Sequence, residues 1–201
     1  MIEAVVSPPA SPAAFFAAPP ASPSALLAAR NGVLADATSA DKFRAAVAEA
    51  RQANNADMAA SGSWVAGQYN NALAFVTGDA ELAAFIRGSS LIELSKPREA
   101  MDALKGHASS NDPVMAATVL EAMALSGSWE DLEKALANAK LTAADQAYYQ
   151  ALLQEAAGEY ADAMRAYGAL LEEHPEHLQA RFRTAFRLDL MGEDTAAIRH
   201  Y

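Results

Sequence analysis

The chain has 201 residues, no cysteine and a formal net charge of -10. That length suffices for a real hydrophobic core, and without cysteine there are no disulfides, thiolate nucleophiles or Cys-ligated zinc. The acidic balance argues against direct contact with a nucleic-acid backbone, which needs clustered Lys and Arg, and an Ala-rich composition with 7% aromatic residues favours helix over sheet.

Six of the nine prolines fall between Pro8 and Pro23, mixed with Ala and Ser. Proline removes amide donors, so residues 1–40 are expected to form a mobile leader, with Phe15, Phe16, Leu26 and Leu27 able to dock locally. Met1 to Ser22 contains no Lys or Arg and is broken by five prolines, which does not match a secretory signal. No apolar run approaches a membrane span. A cytoplasmic location without membrane contact is the expectation.

Residues 41–201 are expected to form one helical domain. Phe43, Ala46, Val47 and Ala50 recur at spacings of three and four, one face of a helix. Similar segments follow, separated by Ser61-Gly62-Ser63, Gly78-Asp79, Ser95-Lys96-Pro97, Ser126-Gly127-Ser128, Gly158-Glu159 and Gly192-Glu193. No segment alternates with period two. If Gly62, Ser95, Gly127, Gly158 and Gly192 are equivalent turn marks, the pattern recurs at nearly even intervals along the chain. The tetrapeptide Ser-Gly-Ser-Trp occurs twice, ending at Trp64 and Trp129, which predicts equivalent places for the two tryptophans just after a turn. Self-similarity with a period of about 34 residues is the mark of a stacked helix-pair array.

The fourth unit carries Ala151, Gly158, Tyr160, Ala163, Tyr167 and Pro175 in the pattern small, Gly, aromatic, Ala, aromatic, Pro. The second supplies Gly88, Leu91, Ala100 and Leu104, the third Gly127, Trp129 and Leu136, and the fifth Ala185, Gly192, Ala197 and Ile198. On these residues the chain resembles the tetratricopeptide repeat family over about residues 48–201. The resemblance implies an all-α fold, a right-handed α-α superhelix of antiparallel helix pairs. Its units lie near 48–80, 81–112, 113–143, 144–177 and 178–201. The first departs from the pattern with Gly67 and Asn71 where Ala and an aromatic are usual; the third has Leu120 at its small position, and the fourth has Ala147 at its first large position. The fifth stops two turns into its second helix, which would leave Phe182, Phe186 and Leu188 short of cover. The chain is therefore expected to be the N-terminal part of a longer protein.

The search for chemistry yields little. His174 and His177 are separated by a helix-breaking Pro175 and lack a third ligand nearby in sequence, so they predict a solvated turn and no metal. Glu172, Glu173 and Glu176 beside them predict a solvated acidic patch. No nucleophile elbow, phosphate-binding loop or dinucleotide fingerprint occurs, so no catalytic residue and no cofactor are expected. Arg181, Arg183 and Arg187 are the candidate partner-binding residues. Arg183 and Arg187 share a helical face and could hold a carboxylate or phosphate, unless they pair with Asp189, Glu193 or the Glu cluster. Some family members clamp a partner's C-terminal carboxylate with Lys and Asn on successive first helices; Phe85, Ser89 and Phe182 stand at those places here, so that clamp is not expected.

The resemblance implies a non-catalytic scaffold that binds a partner protein or peptide in a concave groove. The order of segments is also similar to a bacterial family in which such an array precedes a domain like the C-terminal domain of the RNA polymerase α subunit, which would imply a transcription-linked adaptor. The regulatory arm of an enzyme with a downstream catalytic domain is a further alternative.

Overall fold

In a computed structural model the protein is described over residues 12–34, 37–53 and 55–201. Among these residues every regular element is an α-helix, as the periodicity predicts, and they fall into two compact units that divide after Gly127.

The first unit holds α1 (Pro12–Ala17), α2 (Pro23–Leu34), α3 (Ala37–Gln52), α4 (Ala56–Val65), α5 (Tyr69–Phe75), α6 (Glu81–Glu93), α7 (Pro97–Leu104) and α8 (Pro113–Ser126). Its first two helices correct the expectation of a mobile leader for residues 12–34; residues 1–11 of that leader lie outside the described residues. Pro12 and Pro23 occupy the first positions of α1 and α2, where the missing N–H would have had no helical partner. Phe15 and Leu26 are buried, and the Phe15 ring meets Phe43 of α3 edge-on at 4.9 Å. On α3 the buried residues are Phe43, Val47 and Ala50, the face that the three-and-four spacing marks.

Ser61, Gly62 and Ser63 lie inside α4 and are buried, which corrects their reading as a break. A Cβ on Gly62 would stand 2.8 Å from Cγ2 of Val47, so this glycine serves a close crossing and not a turn. The turn is at Gly67, whose φ of 71° is left-handed. Left-handed φ values recur at Gly78, Ser95, Gly127, Gly158 and Gly192. With Gly78 set aside as the link from α5 to α6, the interval from Gly67 to Ser95 is shorter than the three that follow. With Gly67 as the turn, Ala60 and Ala72 take the places that Gly88 and Ala100 hold in the next pair, and all four are buried. For residues 48–80 the turn was expected at Gly62, and the structure puts it at Gly67. The two Ser-Gly-Ser-Trp copies are correspondingly not equivalent. Trp64 is buried inside α4, whereas Trp129 begins a helix after the turn and is partly exposed.

The helices of this unit cross closely where side chains are small. A Cβ on Gly88 of α6 would lie 2.6 and 2.7 Å from the two Cδ atoms of Leu104 on α7. Trp64 packs on Phe85 at 5.1 Å, and its indole N–H donates to Ser89 Oγ at 2.7 Å. Arg30 of α2 lies over the Trp64 ring and donates to the Tyr69 hydroxyl. Asp112 caps α8 by accepting from the N–H groups of Val114 and Met115. Its carboxylate also accepts from the N–H and hydroxyl of Ser24 on α2.

The second unit holds α9 (Trp129–Leu136), α10 (Ala143–Ala156), α11 (Tyr160–Glu173), α12 (Leu178–Leu190) and α13 (Asp194–His200). Three-residue turns join α10 to α11 and α12 to α13, and each of these pairs packs together. Ala151, Ala163, Ala180, Ala185 and Ala197 are fully buried and let these backbones approach. Thr142 caps α10 and His177 caps α12. No helix among the described residues is long and apolar enough to cross a membrane.

Candidate partner-binding face

The three candidate arginines all sit on α12, and the structure separates them. Arg187 Nε donates to Glu155 Oε1 at 2.7 Å, and Arg183 Nη1 lies 3.8 Å from the same oxygen. Glu155 is on α10 and buried. Its second oxygen accepts from the Tyr167 hydroxyl of α11 at 2.8 Å. The Arg187 guanidinium also lies over the Tyr160 ring, 4.1 Å from its centroid. Two of the three arginines are thus bound up in seating α12 on α10 and α11, with a partner that local spacing did not suggest. Arg181 is half-buried on the same helix and takes no part in this network.

A carboxylate taken out of water needs its lone pairs satisfied, and Arg183, Arg187 and Tyr167 do this for Glu155. The network shows in the titration of its members. Burial alone would lower the Arg183 pKa, but the Tyr148 hydroxyl beside it, with Glu155 and Tyr167, outweighs burial and raises it. Burial first, and then the Glu155 carboxylate, push the Tyr167 hydroxyl far above the ordinary tyrosine range. Neither group changes charge near neutral pH.

The two histidines of the turn do not come together on one ligand. His174 Nδ1 lies 3.4 Å from Glu176 Oε1. The His177 ring is buried against Tyr148 at 5.1 Å, and its Nδ1 accepts from the Ala180 N–H at 3.3 Å. Its Nε2 is 3.6 Å from Asp145 Oδ1, and hydrogen bonding from His177 is the largest cause of a lowered Asp145 pKa. His177 is therefore a helix cap in a packed turn, whereas a solvated turn was expected. No group of three metal-ligating side chains occurs among the described residues.

The feature that remains open is apolar. Leu178, Phe182 and Leu190 of α12 and Ile198 and Tyr201 beyond it are exposed, with Phe186 partly so. Leu178, Phe182, Phe186 and Leu190 are four apart and form one stripe. The Phe182 and Phe186 rings stack at 6.3 Å, and Phe182 meets Tyr201 at 6.1 Å. The shortage of cover expected at Phe182 and Phe186 is present, while Leu188 is half-buried. No protein-family model matches the chain, and no curated protein matches it.

Proposed function

We propose that the chain is a non-catalytic scaffold of tetratricopeptide-like helix pairs that binds a partner protein or peptide in the groove lined by the first helix of each pair. The observation that carries this reading is the recurrence of a left-handed turn residue at Ser95, Gly127, Gly158 and Gly192, each between two consecutive helices. A near-constant period with small residues at the close crossings supports a stacked array, and such arrays offer long surfaces and no preformed reaction centre. Because Arg183 and Arg187 are engaged with Glu155, Arg181 is the arginine of α12 assigned to the groove. In this reading the surface of the array, and not a pocket, carries the function.

The test is to capture partners from the source cells by crosslinking, purify the leading one and measure its affinity by calorimetry. The scaffold reading expects saturable binding that Arg181→Glu weakens several-fold with the helix content unchanged. A partner held equally by wild type and variant removes the arginine from the groove. Failure to retain any protein or peptide in saturable fashion removes the scaffold.

A further inference from the structure

In the first unit the face that the scaffold reading assigns to a partner is already occupied. Helices α4 and α6 are the first members of packed pairs, α8 packs on α6, and α2 lies across all three. The contact face of α2 is regular. Pro23, Leu26, Arg30 and Val33 are spaced by three and four, and the three apolar ones are buried. Ala25, Ala28 and Asn31 on its other face are exposed, so α2 is held from one side only.

Two polar contacts fix its position along the groove. Asp112, at the start of α8, accepts from the Ser24 N–H at 3.0 Å and from the Ser24 hydroxyl at 2.7 Å. The Arg30 guanidinium lies 4.9 Å from the Trp64 ring centroid and 5.5 Å from that of Tyr69. It also donates to the Tyr69 hydroxyl and stands 3.8 Å from Glu93 Oε1. Two aromatic faces, a hydroxyl and a carboxylate thus form a box that fits one guanidinium. We infer that α2 is a self-ligand of the first unit, an amphipathic helix seated in the groove as a partner's helix would be, and that a partner enters there by replacing it. The occupant defines what fits. A competing helix would carry apolar residues spaced by three and four, a hydroxyl residue in its first turn and an arginine about two turns further on. The inference rests on the groove reading and narrows it, because the groove of the first unit is closed until α2 is displaced.

The probe is a fluorescein-labelled peptide of residues 21–34, titrated into the full chain and followed by anisotropy. Leu26→Glu with Arg30→Glu in the protein removes both the apolar and the cationic hold of α2 and should empty the groove. This variant is expected to bind the peptide saturably and at least about tenfold more tightly than wild type, whose own α2 competes. Arg30→Glu in the peptide should cost about tenfold or more. Equal binding by wild type and variant, or no saturable binding by a variant that keeps its helix content, overturns the inference. Hydrogen exchange of wild type gives an answer that does not depend on the variant folding. Amides of α2 and of the first turn of α8 should exchange together, about tenfold or more faster than those of α4 and α6. If α2 exchanges only when α4 and α6 do, it is a core helix of the unit and the inference falls. These measurements use no outside partner, so they can fail while a partner is still captured, and succeed where none is.

Discussion

Replacing Gly88 by alanine adds one methyl group at the point where α6 and α7 cross. Two opposing terms act. In a helix interior alanine is favoured over glycine by about 1 kcal/mol. Against that, the new Cβ would lie 2.6 and 2.7 Å from the Cδ atoms of Leu104, a side chain that is itself buried and has little room to give. Overpacking of this kind costs about 1 to 3 kcal/mol, and the whole branched end of Leu104 is too close, so the upper part of that range applies. The net expectation is a loss of about 1 to 2 kcal/mol. Urea unfolding followed by Trp64 emission measures it, since Trp64 packs on Phe85 of α6; Trp129→Phe removes the second signal. Leu104→Ala alone should cost about 2 to 5 kcal/mol. In that background the clash is gone, and Gly88→Ala should stabilise by up to about 1 kcal/mol. The reversal of sign is the decisive result. If Gly88→Ala has the same effect in both backgrounds, the helices do not cross at this residue. Gly168 on α11 has nothing within 4 Å of its would-be Cβ, so Gly168→Ala should stabilise its own unit by about 1 kcal/mol without any second change.

Other substitutions test other contacts. Ser95 holds a φ of 59° where the later turns have glycine, so Ser95→Gly should raise stability by about 1 kcal/mol in the same urea assay. Asp112→Ala removes a helix cap and both bonds from Ser24, which predicts a loss of about 2 to 3 kcal/mol near neutral pH. Burial alone would raise the Asp112 pKa, but the Ser24 hydroxyl and N–H and the Met115 and Val114 amides outweigh it and hold the group below its ordinary 3.8. A lowered carboxylate stabilises above the unfolded value and loses that contribution as pH falls through the folded value. The gap between wild type and Asp112→Ala should therefore be full above about pH 5 and narrow towards about pH 2. Glu155→Ala should destabilise the second unit by about 3 kcal/mol, because it strands Arg183, Arg187 and the Tyr167 hydroxyl. Hydrogen exchange of the α12 amides reads that loss, and unchanged protection would mean that Glu155 does not seat the helix.

The helical class and four of the five turn marks were legible in the sequence, because a left-handed turn selects glycine or a small polar residue and the helices between are amphipathic. Gly62 was not. The same tetrapeptide lies inside α4 in one copy and turns the chain in the other, and the crowding of Val47 against Gly62 has no mark in the local sequence. Proline density misleads for residues 12–34, since the prolines at 12 and 23 start helices as readily as they interrupt them. The arginines of α12 were found, but their engagement with Glu155 was not. Their partner lies on the first helix of the preceding pair, a separation that one turn of repeat hides from any local pairing rule. Tyr167, the other group on that carboxylate, reads in sequence only as an aromatic of the repeat.

The bond between Ser24 and Asp112 joins positions 88 residues apart, and α2 packs on α3, α4, α6 and α8. The second unit has no comparable long tie among its described residues; each of its helices packs on the next. Ring closure over such a distance is entropically slow, and chains dominated by distant contacts fold more slowly than those built from neighbours. During synthesis α2 emerges long before α8 exists to receive it, so its apolar face waits while the intervening helices are made. The first unit should consequently be the late and cooperative half of folding, unable to fray at one end without loosening the other. The second can assemble, and come apart, one hairpin at a time.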